Sequence, residues 1–343
     1  MRKKAFFIIC TIALSFGAAV VVPSLAWAEA DDAKTCIEES GDAAIAACTR
    51  AIDAGTAQGH ALAYLLYGRS IEFKHKGNVD RAIADLDEAI RLDPNYALAF
   101  YARGNVWADR HNDDRAIADY SEAIRLDPKD ADSYNNRGSV WLMRGDYDRA
   151  MADYNEAVRI KPNDPDGFSN RGNIWHLKHD DDRAIADYSE AIRLNPKDAC
   201  ALYNRGSAWD AKGDYDRAIA DYNEAIRLQP TYAAAISNRG LAWSNKGDDD
   251  RAIADFNEAI RINPKGSPYY INRAGSLSEK GEYDRAIADY TAALHLNPNY
   301  ALAFYGRSIA KERKGDIEGS AADMASAQKL DPGIANWRQR SGH

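Results

Sequence analysis

The stretch DYDRAIADYNEAIRL, residues 214–228, decides the fold of this chain. Counted from Tyr215, its apolar side chains fall at i, i+3, i+4, i+7, i+10 and i+11, which is one face of an α-helix. The arginine and acidic side chains lie off that face. Pro230 comes two residues after the stretch and ends the helix, because proline lacks the N–H that the next turn needs. The stretch therefore predicts an amphipathic helix that buries one side.

The same helix returns along the chain at a constant step of 34 residues. Edited copies begin at residues 80, 114, 148, 182, 250 and 284, and a proline follows each copy. A second helical pattern, such as ALYNRGSAWDAKGD (201–214), lies between each proline and the next copy. The glycine of its Lys-Gly-Asp turn supplies a left-handed conformation. Each unit is therefore predicted to be two antiparallel helices. Such pairs must stack, because a lone pair leaves its apolar face in water.

Particular residue types recur at fixed positions when each unit is numbered from the third residue after a proline. Glycine is common at the eighth position, an aromatic residue at the eleventh and alanine at the twentieth and twenty-seventh, as in Gly206, Trp209, Ala218 and Ala225. This pattern resembles the tetratricopeptide repeat (TPR) family. The resemblance implies an all-α fold, a right-handed TPR superhelical solenoid of antiparallel helix pairs, in which the first helices line a concave groove.

The chain is predicted to contain two short N-terminal segments, then an array of repeats, then a short C-terminal tail. Residues 1–28 are predicted to be a signal peptide, 29–62 a degenerate N-terminal helical hairpin and linker, and 335–343 a tail. Eight TPR units are predicted at 63–96, 97–130, 131–164, 165–198, 199–232, 233–266, 267–300 and 301–334. The last unit departs from the pattern at Lys311, Ser320 and Gln328. We expect it to cap the array, because an end repeat faces water and needs a polar outer side.

The first 28 residues predict export. A basic start, MRKK, precedes the apolar run AFFIICTIALSFGAAVVV, and Ala26 and Ala28 are the small residues that a signal peptidase reads. Cleavage is expected after Ala28, giving a periplasmic or secreted protein, and the alternative is an uncleaved membrane anchor. Cleavage removes three basic residues and no acidic one, so the net charge falls from −8 to −11. We therefore expect no nucleic-acid partner and no membrane insertion after cleavage.

Two cysteines near the start of the mature chain form a candidate disulfide. Cys36 and Cys48 enclose the segment CIEESGDAAIAAC, with Gly41 between two short helical stretches. A helical hairpin would bring the two thiols face to face, and an oxidising compartment would let them bond. The alternative is a pair of small buried thiols.

Two charged positions carry the same residue in every unit. Arginine stands at the seventh position as Arg69, Arg103, Arg137, Arg171, Arg205, Arg239, Arg273 and Arg307. Aspartate stands at the twenty-third position as Asp85, Asp119, Asp153, Asp187, Asp221, Asp255, Asp289 and Asp323. We predict an ion pair that links the first helix of each unit to the second. The alternative partner of each aspartate is the arginine four residues earlier, such as Arg217 for Asp221.

The sixth position points toward the groove if the resemblance holds. It carries an amide in five successive units, at Asn136, Asn170, Asn204, Asn238 and Asn272. An amide both donates and accepts, so this row could hold an extended peptide backbone, similar to the asparagine ladders of sugar-transferring enzymes that carry TPR superhelices. Tyrosines at the fifth position could stack on the same partner; they are Tyr67, Tyr101 and Tyr203. The alternatives are solvated asparagines and half-buried packing tyrosines.

The motifs of enzymes do not occur in the sequence. A phosphate-binding loop, a nucleophile elbow, an HExxH sequence and a paired-cysteine zinc pattern are all missing. We therefore expect no enzyme, no catalytic residue, no cofactor and no metal. The predicted function is an exported scaffold that binds a protein or extended peptide in its concave groove. The alternative is a non-catalytic recruiting subunit of an envelope enzyme, such as a glycosyltransferase, or of a secretion complex.

Overall fold

The computed structural model describes residues 30–334, and its regular elements in that range are α-helices. They are α1 (Ala30–Glu38), α2 (Gly41–Asp53), α3 (His60–His75), α4 (Val79–Leu92), α5 (Ala97–Asp109), α6 (Asp113–Leu126), α7 (Ala131–Met143), α8 (Tyr147–Ile160), α9 (Pro165–Leu177), α10 (Asp181–Leu194), α11 (Ala199–Ala211), α12 (Tyr215–Leu228), α13 (Ala233–Asn245), α14 (Asp249–Ile262), α15 (Ser267–Glu279), α16 (Tyr283–Leu296), α17 (Ala301–Lys314) and α18 (Ile317–Leu330). The predicted all-α repeat fold of helix pairs is confirmed.

The described chain forms two compact units, residues 30–174 and 175–334, and the boundary falls inside α9. Each of these two compact units is built from successive helix pairs that pack on one another. The core of each compact unit consists mainly of small and aromatic side chains from both helices of a pair. Alanine dominates this core because helices that cross closely leave little room between their backbones.

A glycine and an aromatic ring set the crossing of the two helices within a pair. A Cβ atom added to Gly206 on α11 would lie 2.8 Å from the ring of Tyr222 on α12, which is too close for two carbon atoms. The same contact joins Gly104 to Tyr120, with a corresponding distance of 2.7 Å. Both rings are fully buried. The glycine therefore lets the first helix lie directly against the aromatic ring of the second.

The turn between the two helices of a pair needs a residue with positive φ. Gly213 has a φ of +78°, in the left-handed region that glycine adopts without strain. His111 and His179 replace this glycine in two units and keep the conformation, with φ values of 54° and 61°. After the turn, Asp214 caps α12 by accepting a hydrogen bond of 3.1 Å from the backbone N–H of Arg217.

The N-terminal helices form a hairpin that packs on α3. The Sγ atoms of Cys36 in α1 and Cys48 in α2 are joined in a disulfide. Both residues lie in a buried cluster with Ala47 and with Leu65 of α3. The backbone N–H of Gly41 also donates a hydrogen bond of 2.7 Å to Glu72. The hairpin therefore covers the apolar side that α3 would otherwise expose at this end of the helix array.

The last helix has the polar and small outer side that an end repeat requires. In α18, Ala321, Ala325 and Gln328 are exposed, whereas Ala327 and Asp323 face the pair's interior. Ile334 is buried against Tyr305 just after this helix. The predicted signal peptide at 1–28 and tail at 335–343 lie outside the described residues. Between residues 30 and 334, no helix combines the length and apolar character needed to cross a membrane.

Candidate functional site

Arginines at the seventh position hold the second helix of their own unit. Arg205 donates two parallel hydrogen bonds to Asp221, from Nε to Oδ2 at 2.8 Å and from Nη2 to Oδ1 at 2.7 Å. The same bidentate pair is formed by Arg69–Asp85, Arg103–Asp119, Arg137–Asp153, Arg239–Asp255, Arg273–Asp289 and Arg307–Asp323. The predicted link between the two helices is thus confirmed in these units. The alternative pairing of Asp221 with Arg217 is wrong, because Arg217 bonds instead to Asp214.

The last unit shows why the pair does not depend on an arginine four residues before the aspartate. That position is Gly319, and Arg307 still bonds to Asp323 at 2.7 Å. Lys311, which replaces the aromatic residue, adds a second ion pair to Asp323 at 2.9 Å. Burial raises the pKa of Asp323, but the hydrogen bonds from Arg307 and Lys311 outweigh it and hold the pKa below its usual value. This carboxylate therefore stays ionised in the folded protein.

The third arginine nitrogen reaches back to the preceding unit, a contact that the sequence reasoning missed. Nη1 of Arg137 donates to Oγ of Ser121 at 2.9 Å, and Nη1 of Arg239 donates to Oδ1 of Asn223 at 2.7 Å. Arg103 makes the equivalent bond to Asp87 at 2.6 Å. A short polar residue 16 positions before the arginine was the available signal in the sequence. Each such arginine joins three helices and fixes the register between neighbouring units.

In six of the eight units, a second arginine lies over the aromatic residue of the first helix. The Cζ atom of Arg217 is 3.8 Å from the ring centroid of Trp209, and Arg251 lies 3.7 Å from that of Trp243. This cation–π contact helps fix the second helix against the first. The six Arg–aromatic contacts follow the repeat; they are Arg81–Phe73, Arg115–Trp107, Arg149–Trp141, Arg183–Trp175, Arg217–Trp209 and Arg251–Trp243. These charges belong to the repeat framework and are not free for a ligand.

The turns are tied to one another by surface ion pairs. A basic residue at the end of a first helix reaches an aspartate near the start of the preceding second helix, as in Arg110–Asp80 at 2.6 Å and Arg144–Asp114 at 2.5 Å. Lys212–Asp182 and Lys246–Asp216 repeat the contact in residues 175–334. These aspartates are more than 80 % exposed, so each pair contributes little to the free energy of unfolding.

The predicted peptide-binding asparagines take part in contacts between successive first helices. Nδ2 of Asn136 donates to the hydroxyl of Tyr101 at 3.2 Å and to Oδ1 of Asn105 at 2.8 Å. The hydroxyl of Tyr120 donates to the same Asn105 oxygen at 2.7 Å. Asn136 is only 9 % exposed. The amide N–H groups of Asn136 therefore serve packing between units, which leaves little for an extended peptide.

The other predicted peptide-binding residues are either buried or half-buried. Nδ2 of Asn238 donates to the hydroxyl of Tyr203 at 3.1 Å, and Nδ2 of Asn272 donates to Oγ of Ser237 at 3.2 Å. Tyr203 is 6 % exposed and Asn204 is also buried, whereas Asn170 is half-buried. These asparagines therefore differ in burial and in hydrogen-bond partners, and their binding of a peptide stays a prediction.

Three tyrosines at the start of the array form a separate aromatic cluster. Tyr67 contacts Tyr64, with ring centroids 6.5 Å apart, and Tyr96, with centroids 5.5 Å apart. Burial raises the pKa of Tyr67 to about 12, with smaller contributions from Tyr101, Tyr64 and Asp130. Burial also raises the pKa of Tyr96 well above its usual value. Tyr67 and Tyr96 are therefore neutral at physiological pH, and Tyr64 and Tyr67 keep part of their surface in solvent.

Metal ligands do not gather in the described part of the chain. Between residues 30 and 334, no group of three or more histidine, cysteine, aspartate or glutamate side chains is placed to hold an ion. His176, which the sequence places near several aspartates, bonds through Nδ1 to Asp181. That hydrogen bond joins the end of α9 to the start of α10. It holds the turn between two helices.

Comparison with protein families finds the same repeat along much of the chain. Models described as tetratricopeptide repeat match residues 101–165, 199–232 and 233–265. A model described as TPR repeat matches residues 72–109 and 276–315. A comparison with curated proteins finds no match.

Several solved structures have a similar arrangement of helices. A tetratricopeptide repeat protein from Parabacteroides merdae is 20 % identical, with a TM-score of 0.56, and the match covers 76 % of this chain and 98 % of that chain. PilF of Pseudomonas aeruginosa is 20 % identical, with a TM-score of 0.54 and coverage of 62 % and 96 %. A chain of the APC/C Cut9–Hcn1 hetero-tetramer is 14 % identical, with a TM-score of 0.54 and coverage of 84 % and 80 %. These likenesses concern the fold.

Proposed function

Because the chain belongs to the tetratricopeptide repeat family, we propose that it is an exported, non-catalytic scaffold that binds a protein or an extended peptide. The bound segment lies in the concave groove that first helices line in this family. Such a scaffold acts by holding its partner, and the chemistry of any process that it serves belongs to that partner.

One observation carries this proposal: the framework positions are constant, while the second position of the first helix varies and stays in contact with solvent. The seventh and twenty-third positions are Arg and Asp in every unit, and the structure uses them to join helices. The second position reads Tyr64, Leu98, Asp132, Asp166, Cys200, Ala234, Pro268 and Leu302, and each of these residues keeps part of its surface in solvent. A constant frame that presents a varied row of side chains suits recognition of an irregular partner surface.

Export is the second part of the proposal, and the N-terminal sequence supports it. Residues 1–28 have the basic start, apolar run and small residues of a signal peptide. The disulfide between Cys36 and Cys48 suits an oxidising compartment, where such bonds persist. We therefore place the mature protein in a periplasm or outside the cell.

Site-specific photo-crosslinking in the native compartment tests the proposal. A photoreactive phenylalanine analogue replaces Tyr101 on α5, and in a matched control it replaces the exposed Tyr147 at the start of α8. We expect crosslinks to one protein from position 101 and none from position 147. Equal crosslinking from both positions, or none from position 101, contradicts the proposal. If the captured partner is an envelope enzyme or a secretion component, the protein acts as its recruiting subunit.

A further inference from the structure

The tyrosine cluster, defined as Tyr64, Tyr67 and Tyr96, lies within the compact unit formed by residues 30–174. The rings of Tyr64 and Tyr67 are nearly parallel, with an interplanar angle of 27°. Tyr96 meets Tyr67 edge to face at 61° and also contacts the ring of His60, with centroids 5.0 Å apart. Leu62 and Leu98 pack against the same cluster. The cluster is therefore an aromatic surface with its base in the core.

One polar atom in this cluster has no partner. Tyr96 is 7 % exposed, and among the described residues its hydroxyl group makes no hydrogen bond. A buried hydroxyl without a partner destabilises the folded protein, so such groups are uncommon unless they serve another purpose. Tyr64 and Tyr67 lie beside Tyr96 and are half-buried, so their outer surfaces stay accessible. A ligand that rests on Tyr64 and Tyr67 and displaces them slightly can supply the missing hydrogen bond.

Two acidic side chains near the cluster are paired with basic ones, whereas Asp130 is not paired with any basic side chain among the described residues. Asp93 contacts His60 at 2.5 Å, and Asp132 contacts Lys161 at 2.9 Å. Asp130 acts electrostatically on Tyr67, yet its own hydrogen bonds come from Oγ of Ser133 at 2.5 Å and from the backbone N–H of Asp132 at 3.1 Å. Within residues 30–334, no cation pairs with Asp130 at ion-pair distance. Asp130 is therefore not held in a direct ion pair in this part of the chain, although Lys161, which pairs with Asp132, also acts on it electrostatically.

We propose that the tyrosine cluster and Asp130 form a subsite for a cationic side chain, arginine or lysine, of the protein segment bound by the scaffold. This inference rests on the function proposed above and adds the charge of the partner. The faces of Tyr64 and Tyr67 attract a cation through the negative potential of their rings. The Asp130 carboxylate supplies the counter-charge, and the Tyr96 oxygen can accept an N–H. An acidic partner meets repulsion at the same place.

Charge complementarity over the whole molecule favours the same class of partner. The chain carries a net charge of −8, which attracts basic segments over distances longer than direct contact. Most other cations near the first helices are held in pairs, such as Lys74 by Asp109 at 2.9 Å. At the tyrosine cluster, a basic peptide finds ring faces together with a carboxylate that no ion pair of the described chain occupies.

Titration of the purified full-length mature protein with an end-blocked oligoarginine peptide tests the subsite. Three variants test the ring and the carboxylate separately. Tyr64→Leu removes the aromatic ring, Tyr64→Phe keeps the ring, and Asp130→Asn removes the negative charge. Asn caps a helix as well as Asp, so Asp130→Asn leaves the start of α7 intact. Tyr147→Leu and Asp114→Asn are matched controls, because they remove an exposed ring and an exposed charge elsewhere.

We expect Tyr64→Leu and Asp130→Asn each to weaken oligoarginine binding about five-fold, whereas Tyr64→Phe and both controls stay within about two-fold of the parent. An end-blocked oligoglutamate peptide is expected not to bind. Equal weakening by Asp130→Asn and Asp114→Asn overturns the proposal, since it shows general charge attraction only. Unchanged binding in Asp130→Asn also overturns it, and that variant decides alone if Tyr64→Leu fails to fold.

The outcomes separate this inference from the proposed function. If position 101 still crosslinks to a partner while oligoarginine does not bind, the scaffold function stands and the cationic subsite is wrong. If oligoarginine binds as expected but position 101 captures nothing, the subsite stands and the proposed groove must be reassigned.

Discussion

Arg205 on α11 and Asp221 on α12 are joined by two parallel hydrogen bonds of 2.8 and 2.7 Å, and the same geometry recurs along the chain. The Arg205 side chain is 23 % exposed and that of Asp221 only 9 %. A third bond of 3.1 Å runs from Arg205 to Ser189 of the preceding unit. One side chain thus fixes both the pairing of helices within a unit and the position of the next unit.

Removing this arginine leaves a buried carboxylate without a partner. We expect Arg205→Leu to lower the free energy of unfolding by about 3 kcal/mol, near the low end for a broken buried pair because Arg205 keeps some solvent contact. Arg227→Leu is the control, since Arg227 is 67 % exposed and pairs only with Glu224 on its own helix. Its effect is expected within about 0.5 kcal/mol. Urea unfolding measures both, and equal losses for the two variants contradict the structural role of the pair.

Adding one methyl group at the helix crossing tests the contact between glycine and the aromatic ring. In Gly206→Ala the new Cβ would lie 2.8 Å from the fully buried ring of Tyr222, so the helices must separate. We expect a loss of about 1–3 kcal/mol despite the better helix propensity of alanine. Gly275→Ala is the matched control, because nothing lies within 4 Å of its new Cβ. A gain of roughly 0.5–1 kcal/mol is expected there from the same thermal unfolding measurement. If both variants are stabilised, the close crossing is wrong.

Buried tyrosines make the folded protein sensitive to alkali. Burial raises the pKa of Tyr67 and of Tyr290 from 10.0 to about 12. The folded pKa lies above the unfolded one, so the stabilisation is complete below pH 10 and is lost as the pH rises from about 10 to about 12. We expect tyrosinate absorbance and loss of helical circular dichroism to rise together across that range. Tyr290→Phe should make the loss of stability less steep, and ionisation of all tyrosines before any helix is lost would contradict this account.

We expect a reductant to destabilise the N-terminal helices α1–α3 and to leave the helices far from the disulfide unchanged. Reduction of Cys36–Cys48, or the double change to serine, frees the α1–α2 hairpin. The expected loss is roughly 3 kcal/mol for a loop of this size. Hydrogen exchange should then accelerate in α1, α2 and α3, with little change in α13–α18. Uniform acceleration over the described helices, or none in α1, would contradict the role of the hairpin as a covering for α3.

The sequence carries enough information for the helices, and for the Arg205–Asp221 pair, because both follow a repeat that is visible residue by residue. The bond from Arg205 to Ser189 follows the same 34-residue step, but it could not be predicted because it depends on how closely the second helix of the preceding unit approaches Arg205. The environment of Asn136 could not be read from its position, because its bonds to Tyr101 and Asn105 depend on how closely successive first helices approach. The tyrosine cluster was missed because Tyr96 stands in a turn, outside the helical pattern.

The most direct measurement of the scaffold account compares photo-crosslinking at positions 101 and 147 in the compartment where the protein works. The account predicts one protein partner captured at position 101, on the first helix of its pair, and no capture at position 147, on the second helix of the next pair. Capture at position 147 with none at position 101 would show that the partner binds a different face, and would contradict the central claim.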